Sequence, residues 1–297
     1  ACYMRDALIP LDSKRKMDLT INTYGYDVDS VSYEVRSLDT QRKIADTKVS
    51  DWNKDGNTWT KSLQIENLVD EGQEYLFILK LHCKSDDLYY YTRITLPEET
   101  YAKKCLEFTD SFHNVSMSDQ YELLASYIEP ADYTDKNDLG NVNINSSIDQ
   151  IGWRGFAGKQ VGDPLVSFTD INDTYASLVY TYQMAEEADG ATNYYKVEEY
   201  YKVRYTDQQI YLLDYQRSME QIIDTASVNV SGNILSVGVT SDTTGYLSNE
   251  TGTIVSFVQS GQLFEYNQNK QTFTKVYGFI DDPTDARQSY GQTISAS

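Results

Sequence analysis

Cysteine and histidine are scarce in this sequence. There are three cysteines and two histidines among 297 residues. Three cysteines are too few for a disulfide scaffold, and Cys83 and Cys105 are expected to be buried free thiols rather than a bridged pair. His82 lies in a strand pattern and His113 at a helix end, and neither is at metal-ligand spacing from another His or Cys. We therefore predict no metal centre built on histidine.

Positive charge is also in short supply. Lys and Arg number 25 against 45 Asp and Glu, which gives a net charge of −20. A field of this sign repels phosphate backbones and anionic lipid headgroups. No apolar run approaches the roughly 18 residues that a membrane-spanning helix needs. We expect no nucleic-acid partner, and membrane attachment only through an anchor upstream of this chain.

The common signatures of catalysis are missing as well. Ser111 and His113 are two residues apart, but no nucleophile elbow surrounds them. Adjacent acids occur, as at Glu198 and Glu199, yet an acidic chain is expected to carry such pairs on solvated faces. There is no phosphate-binding loop and no dinucleotide fingerprint. We therefore predict that the protein is not an enzyme and needs no cofactor, with calcium as the one candidate ion.

The first residues, ACYMRDALIP, begin without an initiator Met. The chain is therefore expected to be a processed or cloned piece of a longer protein. Cys2 follows the small residue Ala1, as the lipid-carrying cysteine of bacterial lipoproteins does. The same residues would equally suit the stretch just beyond a trimmed membrane helix. Both alternatives make residues 1–15 a linker from an anchor, and the first makes Cys2 a lipidation site.

Residues 16–97 are predicted to form a β-sandwich. Apolar and polar residues alternate with period two in MDLTINTY and SVSYEVRSL, and RKIADTKV, TWTKSLQI, EYLFILKLHC and LYYYTRITL follow at short intervals. About six or seven short strands, with turns every 8–12 residues, are typical of this architecture.

The segment LVDEGQEY, from Leu68 to Tyr75, makes this prediction more specific. It resembles the tyrosine corner of fibronectin type III and other immunoglobulin-like modules, where a Leu, a turn residue and a Tyr precede the central strand. The turn proline and the early core tryptophan of those modules are absent, and Gly72 makes the bend. The resemblance implies an immunoglobulin-like fold in which the Tyr75 hydroxyl binds nearby backbone.

Residues 98–225 are predicted to form an α+β domain. After Pro97, residues Tyr101, Cys105, Phe108 and Phe112 recur at spacings of four, three and four, which places them on one face of an amphipathic helix. Strand patterns follow, the longest at 175–184, 194–206 and 210–215. This order indicates helices packed on one face of a curved antiparallel sheet, as in cystatin-like and NTF2-like folds.

The segment YYKVEEYYKVRY at 194–205 contains five tyrosines in twelve residues. Its even positions are mostly charged, and Glu199 is the one exception among apolar or aromatic odd positions. This split predicts a single long strand whose odd face is buried against the helix. A ligand surface lined by tyrosines is the alternative.

From residue 226 to residue 297 the sequence consists of short strand patterns separated by Gly, Asn and Asp. The run QLFEYNQNKQTFTKVYGF resembles two adjacent strands of a β-propeller blade. Roughly 70 residues hold one or two blades, and a propeller needs at least four. We therefore expect either a propeller truncated within this chain or strands that pack on the middle domain.

The segment DWNKDGNTW is the best match to a metal-binding motif. Asp51, Asn53 and Asp55 occupy the first, third and fifth positions of a calcium loop, with Gly56 at the sixth. The twelfth position is Ser62 instead of the usual bidentate Glu, and the flanking patterns are strands. A β-hairpin turn at Asp55 and Gly56 is the alternative interpretation.

Three aromatic residues are candidates for sugar binding: Trp59, Tyr133 and Trp153. A ring face can stack on the apolar face of a pyranose, while packing in a core is the alternative role of each. Exposed aromatic rings indicate a binding site only where several share one surface patch.

The order of the modules, the acidity and the strand patterns together resemble multidomain surface proteins of Gram-positive bacteria. The resemblance implies an extracytoplasmic protein, anchored by lipid or by a membrane helix. We predict a non-catalytic binding or scaffolding protein whose partner is a protein or glycan of the cell envelope. The alternative is a carbohydrate-binding or glycan-active protein whose site lies in a propeller mostly absent from this chain.

Overall fold

Strands dominate the computed structural model, so the predicted mainly-β class is confirmed. The structure describes residues 2–39, 42–65, 69–84, 86–97, 99–129, 138–188, 190–206, 209–225, 228, 230–231, 234–240 and 244–288. No helix within these ranges is both long enough and apolar enough to cross a membrane.

The first half of the chain alternates strands with short turns until the first helix. Its elements are β1 (Cys2–Pro10), β2 (Lys16–Asn22), β3 (Val28–Ser37), β4 (Lys43–Val49), β5 (Asn53–Asp55), β6 (Thr58–Gln64), β7 (Glu74–Cys83), β8 (Asp87–Thr95) and α1 (Glu99–Ser116).

The second half contains the longest strands. Its elements are a 3-10 helix (Tyr121–Tyr127), β9 (Asn141–Asn143), α2 (Ile148–Ile151), β10 (Lys159–Ile171), β11 (Ala176–Ala188), β12 (Ala191–Tyr205), β13 (Ile210–Ile222), β14 (Val230–Ser231), β15 (Ile234–Leu235), β16 (Tyr246–Ser248), β17 (Ile254–Gln259), β18 (Gln262–Asn267), β19 (Thr272–Gly278) and a second 3-10 helix (Ala286–Gln288).

The chain divides into two compact units. Unit 1 comprises Ala1–Phe108, Ser167–Leu178 and Val203–Ile210, and unit 2 comprises Thr109–Val166, Val179–Lys202 and Tyr211–Ser297. The predicted sandwich at 16–97 lies wholly in unit 1 and the predicted segment 226–297 lies wholly in unit 2. The predicted middle domain at 98–225 is shared between the two units.

Unit 1 contains two sheets around one core. One sheet has the strand order β4-β3-β7-β8-β1, and the other has the order β2-β6-β5. The core draws on both sheets: Met17 and Leu63 come from the second, whereas Tyr33, Phe77 and Leu81 come from the first. Alternating side chains from two facing sheets therefore fill a single apolar layer, which is the packing of a β-sandwich.

The N-terminal residues differ from the sequence-based expectation. Most of the expected linker at 1–15 forms strand β1, which pairs in parallel with β8 and, at Leu8, in antiparallel with Phe168 of β10. Leu8 is buried and Leu11 is 2 % exposed. The reason is that ALIPL offers apolar side chains to the core of unit 1, which a solvated linker would leave exposed.

Unit 2 holds the longest strands, in the hydrogen-bonded order β11-β12-β13-β9. The predicted strand at 194–205 is confirmed as β12, and its odd positions from Tyr195 to Val203 are buried. Helix α1 supplies the other side of this core through Thr109, Phe112 and His113. Its predicted face was partly right, since Cys105 and Phe112 are buried whereas Tyr101 and Phe108 are only half-buried.

The C-terminal part of unit 2 contains a four-stranded antiparallel meander, β16-β17-β18-β19. Phe257 and Phe264 pair across β17 and β18. Phe273 stacks on both rings, with centroids 6.2 and 5.3 Å away. Together with Ile223 these rings form a small separate core.

Candidate functional site: a buried histidine–glutamate cluster

The odd face of β12 brings one carboxylate into the core of unit 2. Glu199 has no exposed surface and lies between Val197 and Tyr201 on that face. Side chains alternate between the two faces of a strand, so residue 199 lies on the buried face with residues 197 and 201. A buried carboxylate needs hydrogen-bond donors in the core. Those partners come from α1, β11, β12 itself and β13.

Four hydrogen bonds occupy the Glu199 carboxylate. Its Oε1 atom accepts the hydroxyl protons of Tyr182 and Tyr215, both at 3.1 Å. Its Oε2 atom accepts from Tyr201 at 2.8 Å and from His113 Nδ1 at 2.8 Å. A carboxylate offers about four lone-pair positions. All the acceptor capacity of Glu199 is therefore used inside the protein.

His113 is placed to carry a positive charge. Its Nε2 atom lies 2.9 Å from Gln160 Oε1. The amide nitrogen of Gln160 donates to the Gly162 carbonyl at 2.9 Å, so its oxygen is the atom that faces the ring. Since Gln160 and Glu199 both present acceptors, both ring nitrogens must donate, which only the imidazolium form can do.

The pKa values of the pair follow from this arrangement. Burial disfavours the charged form of His113, but the hydrogen bond to Glu199 and its negative charge outweigh that effect, so the pKa of His113 is raised. Burial likewise raises the pKa of Glu199, but the hydrogen bond and charge of His113 prevail and lower it. Burial first, and then the Glu199 charge, holds the pKa values of Tyr182 and Tyr201 well above the ordinary range.

A second hydrogen-bonded chain leads from the same core toward α1. The Tyr180 hydroxyl lies 2.6 Å from Asp110 Oδ1 and 2.8 Å from Thr109 Oγ1. The His113 ring packs on Tyr180 with centroids 5.3 Å apart. Burial and the neighbouring Asp110 carboxylate raise the pKa of Tyr180. These hydrogen bonds hold this face of α1 against β11.

Arg217 is another buried cation of unit 2. It is 1 % exposed on β13 and donates to the carbonyls of Ile151 at 2.9 Å and Gln150 at 2.6 Å. Its guanidinium lies 3.6 Å from the ring centroid of Trp153. Trp153 has a φ of 59°, a conformation that bulky residues rarely adopt. Arg217 thus binds the C-terminal carbonyls of α2 and covers one face of the indole.

The predicted sugar-binding residues fall in different parts of the chain. Trp59 belongs to unit 1, is half-buried on β6, and carries the Lys54 ammonium 3.4 Å from its ring centroid. Trp153 belongs to unit 2 and is 6 % exposed. Tyr133 lies outside the described residues. In both described cases a cation already covers a ring face.

The predicted calcium ligands lie around a tight hairpin. Asn53 and Asp55 are in β5, and Asp55 pairs with Thr58 across a turn that contains Gly56 at a φ of +53°. Asp51 precedes the hairpin and accepts a hydrogen bond from the Ser50 hydroxyl. Within the described part of the chain, no group of three His, Cys, Asp or Glu side chains is placed to hold a metal ion. Cys2, the candidate lipidation site, is the first residue of β1.

One polar constellation in unit 1 was not predicted from the sequence. The Ser32 hydroxyl lies 3.2 Å from His82 Nε2, and His82 Nδ1 lies 3.0 Å from Asp87 Oδ1. The three residues come from β3, β7 and β8 and share the outer face of that sheet. His82 and Asp87 face each other in register. Ser32 is on β3, which is remote in sequence, so no local sequence motif predicts that Ser32 lies beside them.

Comparisons with known proteins give no relative to set beside these sites. No protein-family model matches the sequence, and no curated protein matches it.

Proposed function

We propose that the chain is an extracytoplasmic binding or scaffolding protein of the bacterial envelope, anchored by lipid or by a membrane helix. The observation that carries the binding or scaffolding role is the saturation of the His113–Glu199 cluster. These side chains are of the types best suited to proton transfer, yet each is committed to partners within the protein. Such a cluster stabilises the fold. We therefore propose that the protein acts through binding surfaces on the two units.

The proposed immunoglobulin-like identity of unit 1 rests on strand order and on one corner. The orders β2-β6-β5 and β4-β3-β7-β8 correspond to the two sheets of such modules. Tyr75, at the start of β7, accepts a hydrogen bond from the Asp70 amide at 3.1 Å. Tyr33 on β3 stacks on Phe77 with centroids 5.3 Å apart, at the position where those modules carry a core tryptophan. Modules of this kind commonly present binding surfaces rather than catalytic sites, which is an argument by analogy.

The proposed propeller-like identity of the C-terminal segment rests on β16-β17-β18-β19. Four antiparallel strands in sequential order are the unit from which propeller blades are made. The stacked rings of Phe257, Phe264 and Phe273 fill one face of this sheet. We propose that the segment is a blade, which follows the sandwich strands and α1 in chain order as in a protein that displays successive modules.

Location and binding can be tested separately. The chain, within its full-length gene and carrying an epitope tag, is produced in a Gram-positive host, and intact cells are treated with an external protease. We expect the tag to be lost from intact cells. A tag that becomes accessible only after lysis would contradict the extracytoplasmic assignment.

For binding, the purified chain is sedimented with isolated cell envelopes, before and after enzymatic removal of envelope glycans or of envelope proteins. We expect it to pellet with untreated envelopes and to lose binding in one of the two treatments, which identifies the partner class. A chain that stays in the supernatant with every preparation would contradict a binding role.

A further inference from the structure

The outer face of the first sheet of unit 1 carries a hydrogen-bonded row of three side chains. Ser32, His82 and Asp87 lie on the adjacent strands β3, β7 and β8. The contacts run from the serine hydroxyl to Nε2 and from Nδ1 to a carboxylate oxygen, at 3.2 and 3.0 Å. This is the connectivity of a nucleophile, a general base and the group that orients the base.

The direction of the hydrogen bonds is fixed by Asp87. A carboxylate oxygen accepts, so His82 Nδ1 is the donor to Asp87, and the neutral tautomer with its proton on Nδ1 presents the lone pair of Nε2. That lone pair points at the Ser32 hydroxyl and accepts its proton. From this geometry we propose that Ser32 is a nucleophile, activated by His82 and positioned by Asp87, that reacts with small activated esters.

The row is open to solvent and lies among cationic side chains. The side chains of His82 and Asp87 are 37 % and 41 % exposed. Lys48 on β4 and Lys80 on β7 both stand directly opposite Ser32 in register, and opposed residues share one face of a sheet. Lys80 is bound to Glu34, whereas Lys48 is exposed.

The same placement limits the substrate class. Ser32 is in mid-strand with a paired strand on each side, so its backbone amide belongs to the sheet and cannot serve as an oxyanion donor. Negative charge on the reacting carbonyl would be stabilised by the lysine ammonium groups in an aqueous setting, which is weaker than a preorganised oxyanion hole. Esters with good leaving groups fit this site, and amides do not.

The reaction balances without any added cofactor. The Ser32 oxygen bonds to the acyl carbon while His82 Nε2 takes the hydroxyl proton. The bond from the acyl carbon to the leaving oxygen then breaks, and the leaving alcohol or phenol takes that proton from His82. Water, deprotonated by His82, attacks the acyl-serine, and return of the proton restores the Ser32 hydroxyl and releases the acid.

The test uses p-nitrophenyl acetate with the whole chain, and compares Ser32→Ala and His82→Gln with the parent protein. Ser30→Ala is the matched control, because Ser30 is on the same strand and face and stands opposite His82 in register. We expect Ser32→Ala and His82→Gln each to lose roughly 100-fold in rate, the lower end of what a positioned general base contributes. Ser30→Ala should keep the parental rate. After acid quench, mass spectrometry of the parent protein should find acetyl on Ser32.

Two results would overturn the proposal. One is a folded Ser32→Ala chain that hydrolyses the ester as fast as the parent protein. The other is acetylation of the parent protein only at lysines or tyrosines. If Ser32→Ala does not fold, the site of acetylation in the parent protein alone tests the proposal: acetyl on Ser32 supports it, and acetyl only on lysines or tyrosines contradicts it. The envelope-binding experiment uses the parent chain and does not read out ester hydrolysis, so a failure here leaves the proposed function standing.

Discussion

His113 Nδ1 and Glu199 Oε2 lie 2.8 Å apart in the core of unit 2, and the two side chains are 4 % and 0 % exposed. Helix α1 and strand β12 are thereby joined by a buried ion pair. The pair is supported by three tyrosine hydroxyls on the carboxylate and one amide oxygen on the imidazolium. A charge pair taken out of water is tolerated only with such complete hydrogen bonding.

Removing the negative charge should destabilise unit 2 strongly. In Glu199→Gln the amide cannot accept four hydrogen bonds and His113 loses its counter-charge, so we expect a loss of about 3–5 kcal/mol in the free energy of unfolding. Urea denaturation measures the effect. The neighbouring Glu198→Gln is the control, because Glu198 is exposed on the opposite face of β12, and it should leave the midpoint unchanged. Equal effects of the two changes would refute the burial of Glu199.

The stability of unit 2 should have a plateau in pH with two edges. The folded pKa of His113 lies above its ordinary value of 6.5, so its contribution is complete below that value and is lost as pH rises through the folded pKa. The folded pKa of Glu199 lies below 4.5, so its contribution is complete above that value and is lost as pH falls through the folded pKa.

Urea midpoints measured from about pH 3 to about pH 10 will locate these edges. The other titratable or charged groups around the pair are Tyr180, Tyr182, Tyr201, Tyr215, Asp110 and Arg217. The four tyrosines have raised pKa values and contribute their own loss only at strongly alkaline pH. In His113→Gln the step that begins near neutral pH should vanish from this range. A variant that keeps the near-neutral step would assign it to another group.

Two adjacent tyrosines on β12 should differ sharply. Tyr201 is completely buried and its ring packs 5.6 Å from Phe112 and 5.2 Å from Tyr180, so Tyr201→Ala should cost roughly 3–5 kcal/mol. Tyr200 is half-buried on the opposite face, and Tyr200→Ala should cost much less. Thermal and urea unfolding of both variants test the register of the strand. A larger loss at Tyr200 would mean that the register is shifted by one residue.

A substitution at Tyr75, in the tyrosine corner of unit 1, should have a smaller effect on stability. Tyr75→Phe removes the acceptor of the Asp70 amide while keeping the ring, so we expect a loss of about 1 kcal/mol. Tyr26→Phe, at a side chain that is 76 % exposed, should change nothing. If both variants unfold at the parental midpoint, the Tyr75 hydroxyl does not stabilise the corner.

The hairpin between β5 and β6 provides the test for calcium. If Asp51, Asn53 and Asp55 serve only the turn, calcium in excess should leave the melting temperature unchanged, since only a ligand that binds the native state raises it. Gly56→Ala should lower stability by about 1–2 kcal/mol, because a residue with a Cβ is strained at positive φ. A calcium-dependent gain in melting temperature that Asp55→Ala abolishes would instead establish a metal site.

Period-two patterning predicted strand β12 and singled out Glu199 as the one acid on its buried face. It could not provide the partner, because His113 is 86 residues away in sequence and only the packing of α1 brings it close. The predicted helix face consists of Tyr101, Cys105, Phe108 and Phe112. It leaves out the buried residues Thr109 and His113, although both lie within one turn of Phe112. A buried polar residue does not add to the hydrophobic periodicity of a helix, so its burial can be inferred only from the apolar residues beside it.

The N-terminal strand was missed for a different reason. The segment that becomes β1 is short and lies beside a candidate anchor residue, and its strand character comes from pairing with β8 and β10. The Ser32–His82–Asp87 row is likewise a product of strand register rather than of spacing. Local patterns predict elements, whereas the sites arise where elements far apart in the sequence meet.

The complete satisfaction of Glu199 also bears on how this sequence can change over evolutionary time. Any single replacement among His113, Glu199 and the three tyrosines leaves a desolvated charge or lone pair behind. A concerted replacement by apolar side chains of similar volume can be neutral or even stabilising. The fitness effects of these five positions are therefore strongly epistatic. A lineage that alters one of them must either acquire the compensating changes together or pass through poorly folded ancestors.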